Sequence, residues 1–325
     1  MTFIKNKIHK AVNWNKKDDE FTQVFWEQNV KQMWLPEEIS VSKDLKVWNE
    51  LTDQEKDLYK KVFGGLTLLD TKQANDGVPS MMSLTEDMQR KAVLSFMGMM
   101  EEVHAKSYSS IFMTLLSNQE IDELFDWVEN EPTLQRKAEL VLEQYGNTKT
   151  EKGLYLSMVT SVFLESFLFY SGFFYPLFLA GQGKMVASGE IISLILRDES
   201  LHGKFIGLLA QEMFENFTEE EKENLKDLIK DIFYKLYNNE LDYVNEIYKD
   251  SGLSEQVITF MQFNANTAFT NLGFEKEFDV TESDINPIVL NGLSTETKTH
   301  DFFSTKGNGY IKGKVEELTD EDFII

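Results

Sequence analysis

The sequence predicts an all-α protein, a four-helix bundle core extended by additional helices, with a metal site inside the bundle. Three observations carry this. Apolar residues recur at three- and four-residue steps over long stretches, and no series of alternating strands punctuated by turn dipeptides interrupts them. The chain holds 25 Phe but only 5 Pro, which gives ample apolar surface to bury and few residues that break a helix. Two of the helical stretches also repeat one polar figure, Glu-x-x-His, at matching places on an apolar stripe.

The balance of the composition narrows the possible functions. At 325 residues the chain exceeds the usual size of one domain, yet a helical protein of this length can keep one core. A net charge of -23 argues against nucleic acid or an anionic membrane surface as partner, because both require basic patches that displace counterions from phosphates. Cysteine is absent, so disulfides, thiolate metal sites and thiol nucleophiles are excluded. The basic amino terminus, MTFIKNKIHKAVNWNKK, lacks the apolar stretch of a secretory signal, which predicts a cytoplasmic protein.

Taken in chain order, breaks are expected at Asn75-Asp76-Gly77 with Pro79, at Glu131-Pro132, from Asn147 to Lys152, and from Gly181 to Gly183. The helix before the first break, KKVFGGLTLLDTKQ, carries Asp70 on the stripe through Tyr59, Val62 and Leu66. From Arg90 to Leu116, the residues Leu94, Met97, Glu101, His104, Tyr108, Ile111 and Leu115 share one helical face. The stretch from Gly153 to Gly183 is apolar enough to span a bilayer, but Glu165 stands alone within it. A carboxylate at mid-span is costly in lipid and useful in a core, so a buried helix is expected. From Ile192 to Met213 the figure returns, with Ile192, Ile195, Glu199, His202, Ile206, Leu209 and Met213 on one face. After about Leu293 the helical stripe is lost. Residues 294–325 predict a flexible tail whose last segment, Asp320 to Ile325, mixes acids with apolar side chains that could order on a partner.

A carboxylate, an imidazole and a phenol within an apolar stripe are each expensive to bury without a strong partner, and a bound cation satisfies them together. One Glu-x-x-His is a common accident; two on matched stripes, each preceded by a helix that buries a single acid, are not. Four acids and two imidazoles on four facing helices match the inward arrangement by which ferritin-like bundles hold two metal ions, and oxygen donors without thiolates suit iron or manganese. Tyr108 lies one turn beyond His104, beside the expected metals. It is either a structural tyrosine bonded to a ligand such as Asp70 or a residue that undergoes one-electron oxidation. Phe96, Phe112, Phe163 and Phe167 are nearby in sequence and could shield it.

At MMEEVHAKSY, VFLESFLFYSGFFYPLFLAGQGK, LRDESLHG and HDFFSTKGNGY the chain closely resembles the small, radical-generating subunit of class Ib ribonucleoside-diphosphate reductase, from Val12 to the end. The resemblance implies a ferritin-like domain over residues 1–293, with the tail of 294–325 docking on the large subunit. It implies metal ligands at Asp70, Glu101, His104, Glu165, Glu199 and His202, two manganese or two iron ions per chain, and a tyrosyl radical on Tyr108. Trp34 of QMWLPEE, Asp198 and His104 would form a hydrogen-bonded relay that Tyr310 continues in the tail. The implied partners are a second copy of the chain, the large subunit that reduces ribonucleoside diphosphates, and a flavodoxin-like activator. Subclasses that lack metal replace several ligand carboxylates, and another replaces the radical tyrosine by phenylalanine; this sequence does neither. Without cysteine the chain cannot supply the thiols of ribose reduction, so the substrate site is expected on the large subunit. Iron storage, a dimetal oxidase acting on an apolar substrate, and a purely structural scaffold are the competing readings.

Overall fold

The computed structural model describes residues 9–17 and 19–294, and among these all regular structure is helical. The helices are α1 Thr22–Gln32, α2 Leu45–Glu50, α3 Asp53–Lys72, α4 Val78–Leu84, α5 Met88–Leu115, α6 Asn118–Asn130, α7 Pro132–Tyr145, α8 Glu151–Phe163, α9 Tyr170–Gly181, α10 Val186–Glu215, α11 Glu219–Ile247, α12 Ser254–Asn271 and α13 Pro287–Ser294. Local chemistry sets several of their starts. Thr52 and Glu55 form a reciprocal capping box at α3, Ser117 and Glu120 at α6, and Thr218 and Glu221 at α11, each satisfying free backbone N–H groups and contributing about 1 kcal/mol. Asp87 caps α5 and Thr150 caps α8.

Helix α10 has no side-chain cap of its own. The buried Asp44 carboxylate, from a short 3₁₀ turn at Val41–Asp44, accepts from the backbone N–H groups of Ala187 and Ser188 and from the Ser188 hydroxyl. Met185, which leads into α10, adopts a left-handed φ of 49°. A cap from a distant segment ties the start of α10 to the rest of the core, and with it the angular position of Glu199 and His202.

The expected breaks at 131–132, 147–152 and 181–183 fall between helices. The one at Asn75-Asp76-Gly77 does not end the helix. Gln73–Gly77 is a π turn that carries α3 into α4, with Pro79 in the first turn of α4 just beyond it. A second π turn, Leu164–Leu168, joins α8 to α9 and contains Glu165. The continuous helix Glu151–Gly181 is long and apolar enough to cross a membrane, yet 94% of its most apolar window is buried inside the protein, as a core helix requires.

Helix α3 packs on α5, and α8 with α9 packs on α10; contacts of α3 with α9 and of α5 with α10 close the four-helix core. Gly203 on α10 permits a close approach to the segment that carries Glu165, since a Cβ there would lie 2.3 Å from the Ser166 hydroxyl. Helices α11 and α12 cover α7, α8 and α9, α13 lies on α9, and α1 lies over α5 and α10. Every residue of the two predicted stripes is buried except Met213, which is half-buried near the carboxyl end of α10.

Candidate metal centre

Six polar side chains meet in the middle of the apolar core. Asp70 comes from α3, Glu101 and His104 from α5, Glu165 from the second π turn, and Glu199 and His202 from α10, and all six are fully buried. They form two groups whose ligand atoms lie within 4.8 Å of one another: Asp70, Glu101, His104 and Glu199, and Glu101, Glu165, Glu199 and His202. Glu101 and Glu199 belong to both, so the two motif carboxylates could serve either of two cations, while Asp70 and Glu165 each belong to one group.

The distances follow this division. His104 Nδ1 is 2.9 Å from Glu199, 3.3 Å from Asp70 and 3.5 Å from Glu101. His202 Nδ1 is 2.8 Å from Glu101, 3.1 Å from Glu199 and 3.7 Å from Glu165. Despite these close approaches, both oxygens of Asp70 and of Glu101, one each of Glu165 and Glu199, and His104 Nδ1 make no well-aligned hydrogen bond among the described residues. Orphaned buried polar atoms are rare and costly, and so many converging on one point fit a pair of cations. Two divalent ions would balance the four carboxylate charges.

Without cations, protons are drawn in. Burial pushes the Asp70 carboxyl well above the usual range, and burial with repulsion from Glu101 and Glu199 does the same to Glu165. Burial opposes charge on both imidazoles, but the surrounding carboxylates, led by Glu199 for His104 and Glu101 for His202, reverse this and raise them well above the ordinary histidine value. Burial likewise opposes ionisation of Glu199, and the His104 charge overcomes it and holds Glu199 low.

Asp198, beside Glu199 on α10, turns toward α1 and His104. Its Oδ2 accepts from Trp34 Nε1 at 2.7 Å and lies 3.3 Å from His104 Nε2, while Oδ1 accepts from Gln32 Nε2 at 2.9 Å. The Trp34 ring stacks near the His104 ring, with centroids 6.2 Å apart. The predicted trio of Trp34, Asp198 and His104 is therefore contiguous. Tyr310 lies outside the described residues.

Tyr108 is fully buried, and its hydroxyl has no hydrogen-bond partner among the described residues. Burial, then the charges of Asp70, Glu199 and Glu101, raises its pKa well above the ordinary value and keeps the phenol protonated. Its aromatic neighbour is Phe63, with centroids 5.5 Å apart; Phe112 packs on Phe63, Phe163 and Phe167 on Phe233, and Phe96 on Trp26.

The sequence reading missed several residues. Gln73 donates to Glu165 Oε1 and accepts from Tyr145, and Gln32 holds Asp198. Gln73 had a usable signal, since it follows Asp70 by three residues just as each His follows its Glu. Gln32, Phe63 and Tyr145 had none, because ordinary surface or core roles account for their positions in sequence.

The family model described as ribonucleotide reductase, small chain, matches residues 11–287. The chain belongs to the ribonucleotide reductase small-chain family. The ribonucleoside-diphosphate reductase subunit beta of Bacillus subtilis is 55% identical over 320 residues, covering 98% of this chain and 97% of that one. The Escherichia coli ribonucleoside-diphosphate reductase 2 subunit beta is 41% identical, covering 96% and 97%. The crystal structure of Streptococcus sanguinis dimanganese(II)-NrdF superposes with a TM-score of 0.86 at 46% identity, covering 88% of this chain and 100% of that one. Ribonucleotide reductase small chains are the radical-generating halves of an oxidoreductase that works with a large subunit. Family membership and a ferritin-like fold with a buried carboxylate-histidine centre set aside the storage, oxidase and scaffold readings.

Proposed function

We propose that this ribonucleotide reductase small chain holds two manganese or two iron ions on Asp70, Glu101, His104, Glu165, Glu199 and His202 and stores an oxidising equivalent as a tyrosyl radical on Tyr108. The observation that carries the reading is the pair of ligand groups sharing Glu101 and Glu199. The dimanganese(II) state of the Streptococcus sanguinis relative supports manganese as one occupant. When bound, a redox-active metal pair supplies the one-electron oxidising power of the centre.

The chain's own residues do the rest. Tyr108 gives up its hydroxyl proton together with one electron, and the proton would pass to the carboxylate cluster of Asp70, Glu199 and Glu101, whose charges act on that hydroxyl. Full burial beside Phe63 excludes water from the ring. Asp198 accepts from Trp34 Nε1 and orients His104 through Nε2, so a short hydrogen-bonded route leads from the ligand imidazole toward the α1 side. Along that route the equivalent leaves for the large subunit, with Tyr310 of the tail as the next carrier. The chain works as a cytoplasmic homodimer, takes its activating oxidant from a flavodoxin-like protein, and docks its 294–325 tail on the large subunit.

Electron paramagnetic resonance with elemental analysis of protein from its native host tests this. About two manganese or iron ions per chain with a tyrosyl radical are expected. Two metals without a radical, even after activation by the reduced flavodoxin-like partner and oxygen, would sink it. Removing residues 311–325 is expected to abolish binding to the large subunit without unfolding the bundle; tight binding by the truncated chain would refute the role of the tail.

A further inference from the structure

The outer ligands Asp70 and Glu165 are not held alike. Among the described residues neither oxygen of Asp70 makes a well-aligned hydrogen bond, its nearest donor being His104 Nδ1 at 3.3 Å, whereas Glu165 has one bonded oxygen and one without a partner. The bonded oxygen, Oε1, accepts from Gln73 Nε2, whose second proton goes to the Ser161 hydroxyl at 2.7 Å. The amide oxygen of Gln73 accepts from the Tyr145 hydroxyl at 2.6 Å. Bound to a cation, Glu165 would be ionised and could only accept, which suits an amide that faces it through nitrogen and turns its oxygen to Tyr145. Gln73, Ser161 and Tyr145 are all buried, and every polar atom of the Gln73 side chain is thereby in use.

The backbone is shaped around this contact. Gln73 opens the π turn Gln73–Gly77, and Gly77 closes it. A Cβ at Gly77 would lie 2.2 Å from the Gln73 amide oxygen and 2.7 Å from the Tyr145 ring, so only glycine leaves room for the amide and phenol to meet. A glutamine held at both ends, in a helical turn displaced from α geometry, serves to fix what it touches.

We propose that Gln73, anchored by Tyr145, is a positioning residue that pins Oε1 of Glu165, so that this ligand offers the single oxygen Oε2 to the metal position beside His202. Asp70, with no such restraint, remains free to offer both oxygens on the Tyr108 side. The two metal positions are thereby made unequal by a residue that is not itself a ligand. The inference rests on the assignment of Glu165 as a ligand in the proposed function.

The test is manganese(II) titration of the full-length protein, read by the resonance of free manganese(II), with crystal structures of the loaded wild type, Gln73→Met and Tyr145→Phe. In the wild type two ions are expected, with Glu165 bound through Oε2 alone. Gln73→Met is expected to weaken one of the two positions about 10-fold, the range for residues that orient ligands, and to turn the Glu165 carboxylate. Tyr145→Phe keeps the ring and is expected to weaken the same position less, with the Gln73 amide rotated; it decides the matter if Gln73→Met does not fold. Wild-type affinity and an unmoved Glu165 in the variants would overturn the positioning role. Fewer than two ions in the wild type would instead overturn the ligand assignment beneath it.

Discussion

Ninety-eight residues separate Glu101 from Glu199 and His104 from His202, and the same offset carries Tyr108 onto Ile206 and Asp198 back onto Met100. The two halves of the centre thus repeat their candidate ligands but not their surroundings. On the first half, His104 Nε2 meets the Asp198 carboxylate, and Tyr108 lies one turn beyond. On the second, His202 Nε2 has no hydrogen-bond partner among the described residues, the position mirroring Asp198 is a thioether, and the one mirroring Tyr108 is an aliphatic side chain with no phenol to oxidise. The second half has instead the Gln73–Tyr145 contact on its outer carboxylate. Repetition of the motifs makes a place for two ions; departure from repetition would give the centre a direction, with the storage and the exit proposed for the oxidising equivalent both on the His104 side.

The largest effect expected from breaking this asymmetry is at Tyr108. Tyr108→Phe is expected to abolish the radical signal and all turnover with the large subunit while metal content stays near two per chain; a radical persisting in that variant would place the oxidised residue elsewhere. Next comes the contrast between shared and outer ligands. Glu101→Ala, which touches both groups, is expected to lower manganese(II) affinity at both positions by at least about 100-fold, beyond the range for residues one layer further out, whereas Asp70→Ala weakens chiefly the position beside His104. Equal losses from the two variants, measured by elemental analysis and titration, would mean that Glu101 is not shared.

A smaller effect is expected one layer out. Asp198→Asn keeps the shape but loses the charge, and is expected to slow nucleotide reduction by the assembled enzyme about 10- to 100-fold with radical yield little changed, while the mirrored Met100→Leu is silent. Loss of the radical itself in Asp198→Asn would show that Asp198 serves assembly of the centre rather than exit from it. The smallest effect is in the pH dependence of stability. His104, His202, Asp70 and Glu165 are all raised when no cation is bound, so the folded metal-free protein holds protons that the unfolded chain has released. Their contribution is present at low pH and lost as pH rises, from about 4 upward for the two carboxyls and from about 6.5 upward for the two imidazoles, so the Tm of metal-free protein is expected to fall by a few degrees as pH is raised through this range. Metal-loaded protein, with the protons replaced, is expected to show a flatter profile by calorimetry.

How much of this was legible follows from the range over which each feature is encoded. The spacing of Glu101, His104 and Tyr108 on one face, and of Glu199 and His202 on another, is a consequence of helix period alone, and the structure buries all of them as the stripes required. Asp70 and Glu165 stood out as lone acids in apolar helices for the same local reason. The break expected at Asn75-Asp76-Gly77 became a π turn because those residues, which favour turns in isolation, are held in helix by packing against α5 and α7. Phe63, and not the aromatics nearest the motifs, covers Tyr108, since the face that meets that ring belongs to α3.

By itself the sequence determined the helical class, the two matched ligand motifs, the exclusion of thiol chemistry and the type of metal the donors suit, because each depends on residue identity and on a helical period fixed by backbone hydrogen bonds. Only the tertiary structure decided that Glu101 and Glu199 are the shared carboxylates, that Trp34 bonds to Asp198 across 164 residues, and that Gln73 links Tyr145 to Glu165. Those contacts join helices far apart in the chain, and they depend on how the helices cross, where α10 is capped and where a π turn shifts a side chain, none of which is set by the residues of one helix alone.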